Sequence, residues 1–208
     1  MLNISQIADL AKTTIEQVVL VLGPLLQLED PSGAHLTNST RFKLAFEAVR
    51  HGGLQQVARA LTWQEFEAFA AECLQTVGFD TQKGIIVKGG SRRWQIDLIA
   101  KKSRMILAID CKHWESPSYE SRLINAAEHQ KLAVQALIQR MATKEEFGRE
   151  RVLALPMILT IFEPRSRMVD GVVVLSIEQL ADFLEGVSPF STELPFIYAE
   201  SSVKSSIS

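Results

Sequence analysis

Residues 93–113, RWQIDLIAKKSRMILAIDCKH, contain two apolar segments separated by a short polar turn. The length and the β-branched or aromatic content of both segments are typical of strands, and Lys102-Ser103-Arg104 is typical of a turn. The sequence therefore predicts a two-stranded hairpin. Each strand carries an acid where an apolar residue would be ordinary, Asp97 in the first strand and Asp110 near the end of the second.

The two acids of this hairpin predict a metal site. Side chains alternate between the faces of a strand, so Asp97 shares a face with Gln95, and Asp110 shares a face with Lys112. If the strands pair through the turn, the two acids meet at one end of the hairpin. Neighbouring carboxylates repel unless a cation lies between them. Hard oxygen ligands of this kind suit Mg²⁺ or Mn²⁺.

Three further groups have candidate roles around such a metal. Lys112 would orient or deprotonate an attacking water, or stabilise charge on a phosphorus atom. The backbone carbonyl of Cys111 would be an additional ligand, and Glu67, on the preceding helix, would bind a second metal or a metal-bound water. Lys112 alone or Glu67 alone is more often a solvated surface charge. Asp97 and Asp110 interrupt apolar strands, where a carboxylate is costly unless it is paired or metal-bound.

Cations outnumber acids around the hairpin. Between residues 83 and 104 the single acid is Asp97, and the cations are Lys83, Lys88, Arg92, Arg93, Lys101, Lys102 and Arg104. A local positive field is suited to phosphate, although solvated strand and turn residues would give the same pattern. Lys88, Arg92 and Arg93, beside the Gly89-Gly90 turn, are candidate DNA contacts.

Length and composition restrict the class of protein. The chain has 208 residues, 47% of them hydrophobic, and a net charge of −2, which fits a globular protein with one sizeable domain and a small one. No apolar run approaches the roughly 20 residues that span a bilayer. The first residues do not resemble a signal peptide, so a cytoplasmic protein without membrane contact is expected. The cysteines and histidines have no zinc-ligand spacing.

Residues 1–53 resemble a reduced winged helix-turn-helix in layout. The predicted order begins with a first helix and a second helix that opens at a capping box over Thr13-Thr14-Ile15-Glu16 and ends at Gly23-Pro24. A hairpin follows, starting with a strand at Leu25-Leu26-Gln27-Leu28, and then a third helix with apolar residues within 44–49 that ends near 51–53. The second helix has no Arg, Lys or Asn with which to read bases. Packing or dimerisation is therefore favoured over sequence-specific DNA reading.

Residues 54–190 predict a three-layer α/β/α sandwich with a mixed sheet. The predicted order is a helix, three strands, a helix, two strands and a helix, over 63–78, 81–88, 93–101, 105–113, 119–146, 153–162, 172–177 and 178–184. The first of these helices opens at a capping box over Thr62-Trp63-Gln64-Glu65. Residues 191–208 are expected to form a partly disordered tail.

The order Glu67, Asp97 and Asp110-Cys111-Lys112, on helix, strand and strand, resembles the PD-(D/E)xK nuclease superfamily. Within it, the chain is similar to Mrr-like restriction endonuclease catalytic domains and to archaeal Holliday-junction resolvases. The helix that runs from Phe66-Glu67 to Gly78-Phe79 resembles the opening helix of that family. Ile96 replaces the usual proline before the first acid, and Asp110 stands where Mrr-like relatives often have glutamine.

This resemblance implies a restriction-endonuclease-like fold and an Mg²⁺- or Mn²⁺-dependent DNA endonuclease that hydrolyses phosphodiesters by water attack. Glu67, Asp97, Asp110 and Lys112 would be its catalytic residues. Gln130 occupies the place where relatives often have a polar residue facing the site, and His129 and Gln135 are alternatives. Gln130 is thus a further candidate DNA contact.

Three questions about partners and function stay open at this level. Double-strand cleavage by a domain with one site usually needs two copies, so a homodimer is expected, through the N-terminal helices or the apolar segment 194–198. A non-catalytic DNA-binding or scaffolding protein with a nuclease fold is the alternative. A third interpretation makes residues 1–53 the DNA reader of a regulator and the larger domain its sensor.

Overall fold

The computed structural model describes residues 5, 8–9, 14–26, 54–90, 92–114, 119–143 and 152–198. The chain divides into two compact units, Met1–Val57 and Ala58–Ser208. Within the described ranges, no helix is long and apolar enough to cross a membrane.

In the first unit, helix α1 spans Ile15–Leu26. The hydroxyl oxygen of Thr14 accepts a hydrogen bond from the backbone N–H of Gln17 at 3.3 Å. Thr14 is therefore the residue that caps the helix, one position later than the predicted capping box.

Helix α1 continues through Gly23 and Pro24, so the prediction that it ends there is wrong. Leu25 and Leu26 are helical and do not begin a strand. Only two helical residues follow Pro24, so the missing N–H and the ring clash of proline affect a single turn. Residues 27–53, which include the rest of the predicted hairpin and the third helix, lie outside the described residues, and the winged helix is not confirmed.

Helix α2 spans Leu54–Ala60, and helix α3 spans Trp63–Thr76. The predicted capping box of α3 is present. The hydroxyl of Thr62 accepts from the N–H of Glu65 at 3.3 Å, and the Glu65 carboxylate accepts from the N–H of Thr62 at 2.8 Å. The chain leaves α3 through Gly78, whose φ of +86° is readily adopted only by glycine.

The described part of the second unit contains one mixed sheet of seven strands. They are β1 (Asp80–Gly89), β2 (Arg92–Lys102), β3 (Met105–Lys112), β4 (Leu153–Thr160), β5 (Met168–Val169), β6 (Val172–Ser176) and β7 (Ile197–Tyr198). Their order is β1-β2-β3-β4-β6-β5, with β7 beside β4. β1, β2 and β3 are antiparallel, whereas β3, β4 and β6 are parallel.

Helices cover the sheet on both faces. Helix α4, Glu120–Thr143, packs Val134 and Leu137 against Ile106 and Ala108 of β3. The intervening residues of β3 point to the opposite face and are also fully buried, and α3 contacts β1, β2 and β3. The predicted restriction-endonuclease-like α/β fold with a mixed sheet is confirmed.

The C-terminal half of the sheet differs from the prediction in its details. A 3₁₀ turn over Ile177–Gln179 precedes helix α5, Leu180–Gly186. Ile197 and Tyr198 pair with Ala154 and Leu153, so part of the predicted tail belongs to the sheet. β5 and β7 have two residues each and are too short to leave a periodic pattern in the sequence.

Candidate active site

The two acids of the hairpin meet where the pairing of β2 and β3 ends. The ladder runs from Lys102 opposite Met105 to Leu98 opposite Ile109. The next pair in this register would be Asp97 and Asp110, but there the carboxylate of Asp97 accepts a hydrogen bond from the backbone N–H of Cys111 at 3.0 Å. The side chain of Asp97 thus satisfies a β3 donor at the point where the two strands separate.

Asp110 lies near the C-terminal end of β3, beside β4. Its side chain is buried, and one carboxylate oxygen accepts a hydrogen bond from Nζ of Lys112 at 2.8 Å. Residues two apart on a strand share a face, as the sequence analysis expected of this pair. Lys112 is partly exposed, so one end of the ion pair faces solvent.

The surroundings of Asp110 oppose its charge. The pKa of Asp110 is raised from 3.8 to about 7, chiefly by burial; Lys112 lowers it, and the contact with the carboxyl group of Asp97 raises it, within that net value. Near neutral pH the metal-free pair of carboxyl groups therefore holds a proton for part of the time. A divalent cation between the two carboxylates would offset both causes of the elevation, because it stabilises the ionised form of each group.

Glu67 faces the same region from α3. Burial raises the pKa of Glu67, and the Asp97 carboxylate raises it further, while Lys83 and Lys112 lower it. Lys83 lies on β1 opposite Leu98, one residue from Asp97. The sequence analysis named Lys83 only as one of the cations around the hairpin. Its position near Asp97 depends on the β1–β2 register, which the sequence does not show.

The donor set suits magnesium better than zinc. In the ranges described, no group of three or more His, Cys, Asp or Glu side chains has an arrangement that would hold a metal. Asp97 and Asp110 bring two carboxylates together, and Mg²⁺ is usually held by one or two carboxylates with waters completing its shell. Glu67 does not complete a three-side-chain cluster with them.

The thiol of Cys111 is a poor metal ligand here. Burial raises the pKa of this thiol well above its usual value, and the carboxylates of Asp97 and Asp110 raise it further. A metal-binding cysteine must be a thiolate. The backbone carbonyl is the donor that Cys111 can offer.

Gln130 has a different position from the one expected of a DNA contact. Its side chain is fully buried in α4, and its Nε2 donates to the backbone oxygen of Ala108 at 2.7 Å. Its Oε1 has no hydrogen-bond partner among the described residues. Gln130 therefore contacts the strand that carries Asp110, and it does not present its amide to DNA.

His129, which the sequence named only as an alternative, lies nearer the site. Its ring centroid is 4.9 Å from that of Trp94, and the guanidinium of Arg92 lies 4.2 Å from the Trp94 ring. Burial lowers the pKa of His129, as do Arg92 and Lys112, whereas Asp97 raises it. The charges of Asp97 and Lys112 therefore reach His129, and Arg92 lies over the Trp94 ring that His129 contacts. Trp94 itself is buried and offers no face for stacking on a base.

Residues 58–153 match the family model Mrr_cat, described as a restriction endonuclease. This segment is a restriction endonuclease domain of the PD-(D/E)xK superfamily. The matched segment of the nuclease domain contains Glu67, Asp97, Asp110 and Lys112. The family supports a nuclease function in general and implies DNA as the substrate.

Two relatives of the nuclease domain carry no functional description. An uncharacterized protein of Archaeoglobus fulgidus is 22% identical over 143 residues, which cover 66% of this chain and 100% of that protein. A crystal structure titled as the protein of unknown function AF1548 is 21% identical, with a TM-score of 0.32, and the match covers 59% of this chain and 53% of that one. This chain thus spans about half of the solved protein.

Proposed function

We propose that the nuclease domain is a divalent-metal-dependent DNA endonuclease that hydrolyses phosphodiester bonds by direct attack of water. The observation that carries the proposal is the meeting of Asp97 and Asp110 where β2 and β3 separate, with Lys112 bonded to Asp110 at 2.8 Å. Two acids and a lysine in this arrangement are compatible with the nuclease function that the restriction endonuclease match of residues 58–153 supports in general.

The carboxylates of Asp97 and Asp110 and the backbone carbonyl of Cys111 would hold Mg²⁺ or Mn²⁺. The bound ion supplies Lewis acidity toward a phosphate oxygen and lowers the pKa of a bound water. One carboxylate oxygen of Asp97 would bind the ion, while the other would still accept the hydrogen bond from the backbone N–H of Cys111. That hydrogen bond holds the carboxylate in place before the metal arrives, which reduces the reorganisation required on binding.

Lys112 would act on the attacking water or on the phosphate. Its Nζ donates to a carboxylate oxygen of Asp110 at 2.8 Å, so the ammonium group is held beside one of the acids that would bind the metal. The charge of Asp97 raises the pKa of Glu67, so the two groups interact electrostatically. From its position on α3, Glu67 would bind a metal-bound water. Arg92, which is exposed and lies over the Trp94 ring on the strand that carries Asp97, would contact a phosphate near the scissile bond.

A cleavage assay on supercoiled, linear and branched DNA, with EDTA, Mg²⁺ or Mn²⁺, tests the proposal. The expected result is cleavage that requires the metal and is lost in Asp110→Asn. Asp182→Asn is the matched control, because it removes an exposed acid of α5 by the same chemical change. Absence of cleavage on all three substrates, or full activity of Asp110→Asn, would favour the non-catalytic DNA-binding alternative.

The proposal includes a homodimer, since one site per chain cuts one strand at a time. One of the two surfaces considered for the interface has a role within the chain. In the segment 194–198, Phe196 is buried, and Ile197 and Tyr198 pair with β4. This leaves the region before residue 58 as the preferred candidate for dimer contacts.

A further inference from the structure

A second concave surface lies next to the β1–β2 turn, away from the two acids. It is a cavity of about 740 Å³ between the turn and the C-terminal half of α4. Among the described residues, the polar side chains that line it are Lys88, Arg93, Gln139 and Arg140, and none of those lining it is an acid. We call this cavity the basic turn pocket.

The cations of the basic turn pocket are held close to one another. Lys88 and Arg93 occupy opposite positions in the β1–β2 register, and like charges directly opposite in a sheet are destabilising. Both side chains are exposed, and within the described part of the chain neither forms an ion pair with a carboxylate. An anion in the pocket would relieve this repulsion.

The walls of the pocket are fixed by contacts that do not involve an anion. The guanidinium of Arg140 donates to the backbone oxygen of Ile86 at 3.1 Å, which joins α4 to β1. A Cβ at Gly89 would lie 2.8 Å from the Cβ of Ala136, so the turn lies directly against α4 only because residue 89 is glycine. Gly90 has a φ of +58°, which lets the chain turn back at this point.

The spacing between the basic turn pocket and the acids fits a nucleic-acid strand. Arg93, Gln95 and Asp97 are alternate residues of β2, and four residues of a strand span about 13 Å. Each strand of duplex DNA carries one phosphate roughly every 3.4 Å along the axis. A backbone bound at Asp97 would therefore place another of its phosphates, a few nucleotides away, within reach of the pocket.

We infer that the basic turn pocket binds a backbone phosphate of the DNA substrate, a few nucleotides from the scissile phosphate, and so positions the strand. The inference rests on the proposed DNA endonuclease function. Arginine offers a fork of N–H donors that matches phosphate oxygens, and a concave basic surface concentrates the positive potential that attracts the backbone. Lys88 and Arg93 supply the direct contacts, and Arg140 supplies charge and a fixed wall.

The test is DNA binding by the full chain carrying Lys88→Gln and Arg93→Gln together. Affinity for a labelled duplex is measured in EDTA, where cleavage cannot interfere, over a series of salt concentrations. Loss of two phosphate contacts is expected to weaken binding about 10-fold or more and to lower the slope of log affinity against log salt by about 1 to 2. Arg93→Lys, which keeps the charge, is expected to retain most of the affinity.

The matched control is the double variant Arg165→Gln and Arg167→Gln, which removes the same charge. Both arginines are exposed and form ion pairs only with Glu120 and Glu163 among the contacts of the described residues. They precede β5, at the opposite edge of the sheet from β1. Unchanged affinity and slope in the pocket variant, or an equal loss in the control, would overturn the inference.

Failure of this inference can be told apart from failure of the proposed function. Metal-dependent cleavage by the wild-type chain tests the endonuclease, whereas the DNA affinity of the pocket variant in EDTA tests the pocket. Selective loss of binding in a chain that never cleaves would support the pocket and reject the endonuclease. Metal-dependent cleavage by the wild-type chain, together with unchanged DNA affinity of the pocket variant, would support the endonuclease and reject the pocket. An acidic protein that binds the pocket while DNA does not would also overturn the inference.

Discussion

Asp110 links the stability of the folded state to pH. Its pKa is about 7 in the metal-free fold, against an ordinary value of 3.8, chiefly because of burial. Between about pH 4 and pH 7 the folded chain therefore binds more protons than the unfolded chain. The contribution of Asp110 to the free energy of unfolding is greatest below pH 4 and is lost as the pH rises through 7.

Asp110→Asn should therefore stabilise the metal-free protein at pH 8, by about 1–3 kcal/mol, less than the full shift would give because the Lys112 pair is lost as well. At pH 4 the difference from the wild type should vanish or reverse. Urea unfolding in EDTA at both pH values measures this. A variant whose stability falls between pH 4 and 8 as steeply as that of the wild type would show that Asp110 is not the group responsible.

Lys112 and Asp97 should separate catalysis from metal binding. Lys112→Gln should reduce cleavage by about 10²–10⁴-fold, the range typical of a lost proton-transfer group, while Mn²⁺ still raises the melting temperature. Asp97→Asn should lose both the cleavage activity and the stabilisation by Mn²⁺, because it removes a proposed ligand of the metal. Thermal unfolding with and without Mn²⁺, beside the cleavage assay, compares the variants. If Mn²⁺ no longer stabilises Lys112→Gln, the lysine is needed for the metal site itself.

At the scale of elements, the sequence predicted those features whose cause is local. The capping box at Thr62 and Glu65 needs residues only three apart, and the β2–β3 hairpin follows from two apolar segments and one turn. The burial of Gln130 against Ala108 could not be predicted in this way. It depends on how α4 lies across β3, and such packing leaves no periodic signal in a single sequence.

The contact between α4 and β3 makes a further prediction. Gln130→Met should lower the free energy of unfolding by about 1 kcal/mol, through loss of the hydrogen bond to Ala108. DNA affinity should not change, because the side chain is buried. Urea unfolding and DNA binding in EDTA, measured on the same preparations, check the two statements. A Gln130→Met variant of normal stability and reduced affinity would restore Gln130 as a DNA contact.

At the scale of the whole molecule, the two units differ in how far the sequence defines them. In the nuclease domain, the sequence motif and the sheet register bring the same two acids together, and the family match covers the segment that contains them. In the first unit, the apolar residues predicted helices correctly around Val18, but the Gly23-Pro24 pair was read as a helix end. Glycine and proline mark ends only statistically, and at the last turn their cost is small enough for neighbouring residues to outweigh it.

The arrangement of one site per chain leads to a prediction about the assembly. If two copies act together, their mass in sedimentation should be twice 23.2 kDa. When wild type is mixed with an excess of inactive Asp110→Asn, most wild-type chains should then pair with a variant chain. Each such mixed dimer has a single working site. Such dimers cut one strand, so supercoiled plasmid should accumulate as nicked circles and not as linear DNA. Linear product that falls only in proportion to the wild-type fraction would instead mean that each chain cuts both strands without its partner's site.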